Sequence, residues 1–426
     1  MRKAVVTLIA IVLLLPLISS AGEITEWKVE QVTSCRGGFN SDPNLTPDAD
    51  AIFFISNCDY VNDNPDDSNE IFSWSNGEFQ QLTDEKNCET GKLVISPDGS
   101  LMAFVSNCWF GNKNPERSFN LAVMDRKGEA RFLTKGGAAP PEDLAWFPDS
   151  SSVAFISRSD YTGNNEDNSE EVFVVSARSP SPEIKQLTST SPPGGCESPS
   201  PVTGAVLVRC NGQVKTSTGE DKKRGDIKTI DPWDGKKLGN PDGNHEIWSI
   251  TLSGEIKQIT DTVNCVNYKP LVGPRGQGFV FSSTCEFGSK GNVSFYEQKR
   301  KLYIYMDGPL NVFEEDKVLA MELAWSGDGS LLALSAPGTA ANGNTGLGLQ
   351  IFAVEVRPAG ENEDGKKGFS FDRPREVTSF SMAESNFPSV SRFGNVIAFV
   401  SNANPEGENT EAGTEIFIAR KVLKKN

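Results

Sequence analysis

The chain has one histidine, His245, in 426 residues. A centre built from several metal-bound histidines is thereby excluded, and Ser-His-Asp chemistry would rest on that residue alone. His245 stands just before a strand, where it reads as a loop residue rather than a base. No Gly-x-Ser-x-Gly elbow occurs, and no Cys-x-x-Cys pair of the kind that binds zinc or cycles thiols. The SGDGS run from Ser326 is a hairpin turn and not a sialidase-type Asp box. Basic residues are also scarce, 41 against 57 acidic ones, for a net charge of −16. That deficit argues against nucleic acid or an anionic membrane surface as partner, since both are bound through clustered Lys and Arg. Long apolar runs are missing too, apart from Ala4 to Ile18 behind Arg2 and Lys3. Fifteen residues are short of the roughly 20 that span a bilayer. Small residues follow, so residues 1–21 read as a signal peptide cleaved before Gly22, with no Cys there for a lipid anchor. Cleavage removes Arg2 and Lys3 and leaves 39 basic against 57 acidic residues, or −18, with no membrane span expected after it.

What the chain has in quantity is a repeat. One β-type segment occurs seven times: AIFFISN from Ala51, LMAFVSN from Leu101, SVAFISR from Ser152, AVLVRCN from Ala205, GFVFSST from Gly278, LLALSAP from Leu331 and VIAFVSN from Val396. The offsets are 50, 51, 53, 73, 53 and 65 residues. A period of this size with only β-type segments inside it marks a propeller. Turns such as SPDGS from Ser96 precede most copies, which makes each copy the second strand of a hairpin. A third strand recurs as EIFSW from Glu70 through EIFIA from Glu415, and a fourth as QQLTD from Gln80 through REVTS from Arg375. A fourth-strand copy, EQVTS from Glu30, stands before any second-strand copy, and none follows Glu415. The segment 26–33 is therefore expected to complete the last blade and remove the open sheet edge. The fold class is all-β: a seven-bladed β-propeller closed by its N-terminal strand, with six blades as the alternative. Residues 22–426 form one propeller domain with an insertion at about 211–240.

The PDG-type turn, the apolar "iAFvS" strand, the "EIF" strand and the "QLT" strand together resemble the WD40-like (PD40) repeats of the TolB-type propellers. The resemblance covers nearly the whole chain after residue 21. It implies the fold and leaves the function open, because such repeats occur in binding proteins and in domains joined to peptidases. Two features depart from the family: seven blades stand where TolB has six, and its extra N-terminal domain has no room here.

All eight cysteines follow residue 21, an even number that reads as disulfides in an exported chain. Cys35, Cys88, Cys196 and Cys265 each follow a fourth strand, whereas Cys58, Cys108, Cys210 and Cys285 each end a second strand. Those positions are neighbours in one hairpin, so the expected bridges are Cys35–Cys58, Cys88–Cys108, Cys196–Cys210 and Cys265–Cys285. In a propeller the loops from strand four to strand one and from strand two to strand three emerge on one face, and these are the loops elaborated here. The two-to-three loop keeps one length in four blades, with Asn64, Asn114, Asn165 and Asn409 at one position and Asn240 matching them. Acidic residues crowd the same loops. Asp63, Asn64, Asp66, Asn165 and Asp167 are candidate oxygen ligands for Ca²⁺, against the alternative that each Asn caps a turn and the acids are solvated. No other cofactor is required. The blade-four insertion is locally basic, and Lys222, Lys223, Arg224, Lys236 and Lys237 are candidate contacts for a partner. The function expected is that of an exported, TolB-like, monomeric scaffold, periplasmic or secreted, which binds a protein or glycan through this face. The alternative is a propeller hydrolase or lyase acting on a glycan or peptide.

Overall fold

The computed structural model describes residues 25–35, 37–137, 139–190, 194–211, 214, 244–262, 265–275, 278–285, 301–305, 309–311, 321–337, 348–361, 367–405, 407 and 413–423. The segment 1–21 and the lysines and arginine at 222–237 named above lie outside these residues, as do Asn240 and Asn409. Among the described residues every regular element is a strand. β1 (Thr25–Gln31) comes first. Blade one is β2 (Asn40–Leu45), β3 (Ile52–Ser56), β4 (Glu70–Ser75) and β5 (Glu78–Gln81). Blade two is β6 (Thr90–Ile95), β7 (Leu101–Ser106), β8 (Asn120–Asp125) and β9 (Ala130–Phe132). Blade three is β10 (Glu142–Trp146), β11 (Ser152–Ser157), β12 (Glu171–Ser176) and β13 (Ile184–Gln186). Blade four is β14 (Gly195–Val202), β15 (Ala205–Asn211), β16 (His245–Thr251) and β17 (Ile256–Gln258). Blade five is β18 (Asn267–Val272), β19 (Phe279–Ser283), β20 (Lys301–Tyr305) and β21 (Pro309–Asn311). Blade six is β22 (Leu323–Trp325), β23 (Leu331–Pro337), β24 (Leu349–Glu361), β25 (Lys367–Phe371) and β26 (Arg375–Glu376). Blade seven is β27 (Ser385–Val390), β28 (Val396–Ser401) and β29 (Glu415–Leu423), with β1 on its outer edge.

Seven antiparallel sheets are thus arranged as a seven-bladed propeller. β1 pairs with β29 from Thr25 opposite Leu423 to Gln31 opposite Phe417, so the ring closes as the repeat order requires. Four blades hold their hairpin together through one ring pair in register: Phe54 on Phe72, Phe155 on Phe173, Phe281 on Tyr303 and Phe399 on Phe417. These pairs are stacked, with centroids 5.5 to 6.0 Å apart. Stacked cross-strand aromatics add to the area that they bury. In blade two Ala122 opposes Phe104, and the space is filled from the loop by Phe110, whose ring lies 6.0 Å from that of Phe104.

Blade six contains what the repeat does not announce. β24 runs on for thirteen residues, and its second half forms a hairpin with β25 while its first half pairs with the two-residue β26. This hairpin takes up the excess length in the 65-residue offset, and Phe371 anchors it 6.2 Å from Trp325. The sequence concealed it because β25 carries none of the repeat's letters.

Candidate functional site

The letters E and T of the repeat meet in space. The Glu that opens the third strand is buried in four blades, as Glu70, Glu171, Glu246 and Glu415. The Thr of the fourth strand lies beneath it. Its Oγ1 accepts the backbone N–H that follows the Glu: from Ile71 to Thr83, Leu121 to Thr134, Val172 to Thr188, Ile247 to Thr260, Ile351 to Thr378 and Ile416 to Thr33, all at 2.8 or 2.9 Å. In three blades the same hydroxyl donates to the carboxylate, from Thr188 to Glu171 at 2.5 Å, Thr260 to Glu246 at 2.5 Å and Thr33 to Glu415 at 2.6 Å. The carboxylate then collects the first donors of the four-to-one loop. Glu171 accepts from Thr190 N and Oγ1 at 2.5 and 2.7 Å, and Glu415 accepts from Cys35 N at 2.8 Å. In four blades one buried acid therefore ties the loops of the elaborated face to the sheet. Asn120 and Gln350 fill the position as neutral substitutes in blades two and six.

Burial dominates the titration of these acids and raises Glu70, Glu415 and Glu246 above the usual carboxylate range, the last to about 7 despite bonds from Thr260 and Thr262. A raised carboxyl favours the protonated folded state. The stability that it contributes is fully present below about pH 4.5 and is lost as pH rises through about 7. Glu246→Gln should flatten urea-midpoint stability between those values by about 3 kcal/mol relative to the parent. Parallel profiles for the two proteins would refute the assignment.

The fixed-length loops are held from inside. The Asn64 side chain donates to Ser68 O at 2.9 Å and accepts from Ser68 Oγ at 3.1 Å. Asn165 repeats this with Ser169 at 3.0 and 3.1 Å, and Asn114 donates to Ser118 O at 2.9 Å. All three are buried. Asp59 Oδ1 and Asp160 Oδ1 accept backbone N–H groups at the loop starts. Asp63, Asp66 and Asp167 are exposed at the tips, with Asp66 and Asp167 accepting from Ser68 and Ser169 Oγ at 3.0 and 2.8 Å. The candidate Ca²⁺ ligands of blades one and three thus stay on separate loops, with each Asn turned inward. A cavity of about 240 Å³ lies beside Asn164, Glu166, Asp167 and Ser189. Among the described residues, no three His, Cys, Asp or Glu side chains converge as a metal site.

The four disulfides join Cys35 to Cys58, Cys88 to Cys108, Cys196 to Cys210 and Cys265 to Cys285, with Cα separations of 6.0, 5.0, 4.1 and 5.3 Å. Each staples a four-to-one loop to the end of its own second strand. Around Cys35–Cys58 the packing is close enough that a Cβ on Gly38 would sit 2.5 Å from both sulfurs.

First strands of neighbouring blades contact one another, β2 with β6 and β27, and β10 with β6 and β14, so they line the axis. Six of them carry a bulge at one place. At that bulge Asp42, Lys92, Asp143, Ser198 and Phe387 adopt φ of 46 to 55°. Left-handed backbone is costly for Lys and Phe, and its recurrence at one level of the channel fits a functional surface. The residues interact from blade to blade: Ser198 N donates to Asp143 Oδ2 at 2.9 Å, and Lys269 of blade five binds Glu322 of blade six at 2.8 Å. Burial raises Asp42, and Lys92 beside it pulls it back.

Blade four holds a charge where four other blades have an aliphatic. Ile55, Val105, Ile156 and Val400 occupy in other blades the register position that Arg209 takes here. Arg209 binds Glu197 at 2.5 Å and stacks 5.2 Å over Tyr268, while its Nε is buried without an acceptor. His245 Nε2 lies 3.4 Å from the same Glu197 oxygen. Burial would lift Glu197, but His245 and Arg209 hold it below its usual value. The lone histidine is thus a neighbour of the Glu197–Arg209 ion pair on the elaborated face. The signal available was the R in VLVRCN, where four other copies carry an aliphatic residue and two carry Ser.

On the same face, blades six, seven and one expose four large apolar side chains. Met321, Phe387 and Phe39 lie at the N-terminal ends of three consecutive inner strands, with Met382, 95% exposed, in the loop leading into β27. Phe393, also exposed, sits on the opposite face in the β27–β28 turn.

The class of protein that this geometry defines is a closed seven-bladed β-propeller with one elaborated face. Solved structures share the fold: the propeller domain of the Trilobed protease from Pyrococcus furiosus aligns with a TM-score of 0.53 at 12% identity, over 92% of this chain and 97% of that one. An acylaminoacyl peptidase from Pyrococcus horikoshii gives 0.54 at 10% identity over 91% of this chain, which spans 53% of that protein's length. TolB from Acinetobacter baumannii gives 0.37 at 11% identity, over 94% and 80% of the two chains. The Pyrococcus furiosus domain is described as having an open Velcro topology, whereas β1 and β29 pair here. No protein-family model matches the chain, and no curated protein does.

Proposed function

We propose that the chain is a binding module that holds a partner protein against the channel mouth on its disulfide-stapled face. The observation that carries this reading is the cluster of exposed Met321, Phe387, Phe39 and Met382 on three adjacent blades. Exposed apolar residues scattered singly need no explanation, but four at one end of three adjacent blades, beside a polar rim, suit an interaction surface. The polar cluster of Glu197, Arg209 and His245 supplies that rim, and the acidic loop tips favour a partner with basic residues. The four disulfides support export into an oxidising compartment, in keeping with a signal peptide at residues 1–21. In this reading Lys222, Lys223, Arg224, Lys236 and Lys237 supply further contacts to the partner.

A photo-cross-linking side chain at Met382 tests it, with Phe393 on the opposite face as control. A discrete protein adduct is expected from position 382 in the exported compartment and none from 393. Equal labelling from both faces, or from neither, would rule out the module's proposed face.

A further inference from the structure

A second feature lies on the rim, away from the channel. A cavity of about 300 Å³ opens between the outer strands of blades six and seven, lined by Glu26, Trp27, Glu355, Arg375, Glu376 and Lys421 among others. It exists because β26 is two residues long and β24 diverges from it to pair with β25.

Glu376 occupies a position that the repeat reserves for an amide. Gln31, Gln81, Gln186 and Gln258 stand there in other blades, two residues before the buried Thr. In three of them Nε2 donates to that Thr carbonyl, to Thr33 at 2.7 Å, Thr188 at 2.8 Å and Thr260 at 2.9 Å. A carboxylate cannot make this bond. Glu376 Oε1 is left buried without a donor, and burial raises the group above the usual range. Gln31 and Gln258 also leave Oε1 unpartnered, but an unpaired charge costs far more to desolvate than an unpaired amide oxygen. Lys421 does not compensate it, since its ammonium is bound to Glu355. The lining therefore sums to −1, from three acids and two bases, with an indole wall supplied by Trp27.

We infer that this cleft binds a small organic ammonium ion, whose N–H groups meet the Glu376 carboxylate and whose apolar body lies along Trp27. The chemistry is that of a charge-assisted hydrogen bond beside an aromatic surface. A volume of about 300 Å³ is at the small end of ligand sites. The rival account has Glu376 protonated and standing in for the repeat's Gln, with no ligand involved.

The seven Trp indole N–H signals of ¹⁵N-labelled protein provide the readout, with Trp27 assigned through Trp27→Phe. n-Butylammonium should shift the Trp27 signal saturably, and n-butanol, its neutral counterpart, should not. Glu376→Gln installs the residue of four other blades, so the variant keeps the fold, as its melting curve would verify, while butylammonium affinity falls by about tenfold or more. An unmoved Trp27, an equal response to butanol, or an unchanged affinity in Glu376→Gln would each overturn the inference. None of these outcomes bears on the channel-mouth reading, which concerns other blades and residues.

Discussion

Deleting residues 25–33 is expected to cost the protein most of its folding stability and its monomeric state. That segment supplies seven register pairs to β29, packs Trp27 and Val29 between blades six and seven, and packs Val32 between blades seven and one. It also supplies Thr33, whose hydroxyl accepts from Ile416 N and donates to the buried Glu415. Without it, the edge of β29 is a row of unpaired N–H and C=O groups, and the Glu415 carboxylate loses the Thr33 hydroxyl and keeps Cys35 N and Asn40 Nδ2. An open edge recruits other chains, and a domain of ordinary stability holds only about 5–15 kcal/mol in all. Urea denaturation and light scattering of the truncated chain should show a collapsed midpoint and association. A synthetic peptide of residues 25–33 added in trans should restore both. An unchanged midpoint with a monomeric mass would mean that the ring does not depend on its closing strand.

Replacing Glu171 by Ala should destabilise the protein by about 4 kcal/mol, because at least three hydrogen bonds end on one fully buried carboxylate and their donors have no water to turn to. Glu171→Gln should cost about 1–2 kcal/mol, since Thr188 and Thr190 donate to different carboxylate oxygens and the amide oxygen still accepts from one of them. Asn120 accepts from Thr134 in this way in blade two at 3.3 Å. If chemical denaturation gave the same loss for both substitutions, the cage would be acting through packing rather than through its acceptor.

Much of the fold could be read in the chain because each repeat letter does a local job. The apolar core of the second strand, the Ser that ends it and the turn before it are consecutive, and so are visible as a word. Ser56, Ser106 and Ser283 accept the N–H two residues on, at Cys58, Cys108 and Cys285, all at 3.0 Å, which places each bridge where the hairpin demands. Ring closure was legible from the order of strands alone. The cage was only half legible, as E and T stand 13 to 17 residues apart and their contact needs the register of two strands. Glu376 and Arg209 show the rest: each departs from its repeat by one letter, and only the surroundings reveal that the departure leaves a charge to be accommodated. The β24–β25 hairpin was hidden because it lies outside the repeat, visible beforehand merely as surplus length.

The inward-turned Asn64, Asn114 and Asn165 separate two tasks that loops usually combine. Because one buried amide sets the path of the chain, residues such as Asp63 and Asp66 at the tips are not needed to hold it. The tips can therefore be rewritten residue by residue, in evolution or in the laboratory, while the frame beneath them stays unchanged. The ring then serves as a display platform whose recognition surface is interchangeable.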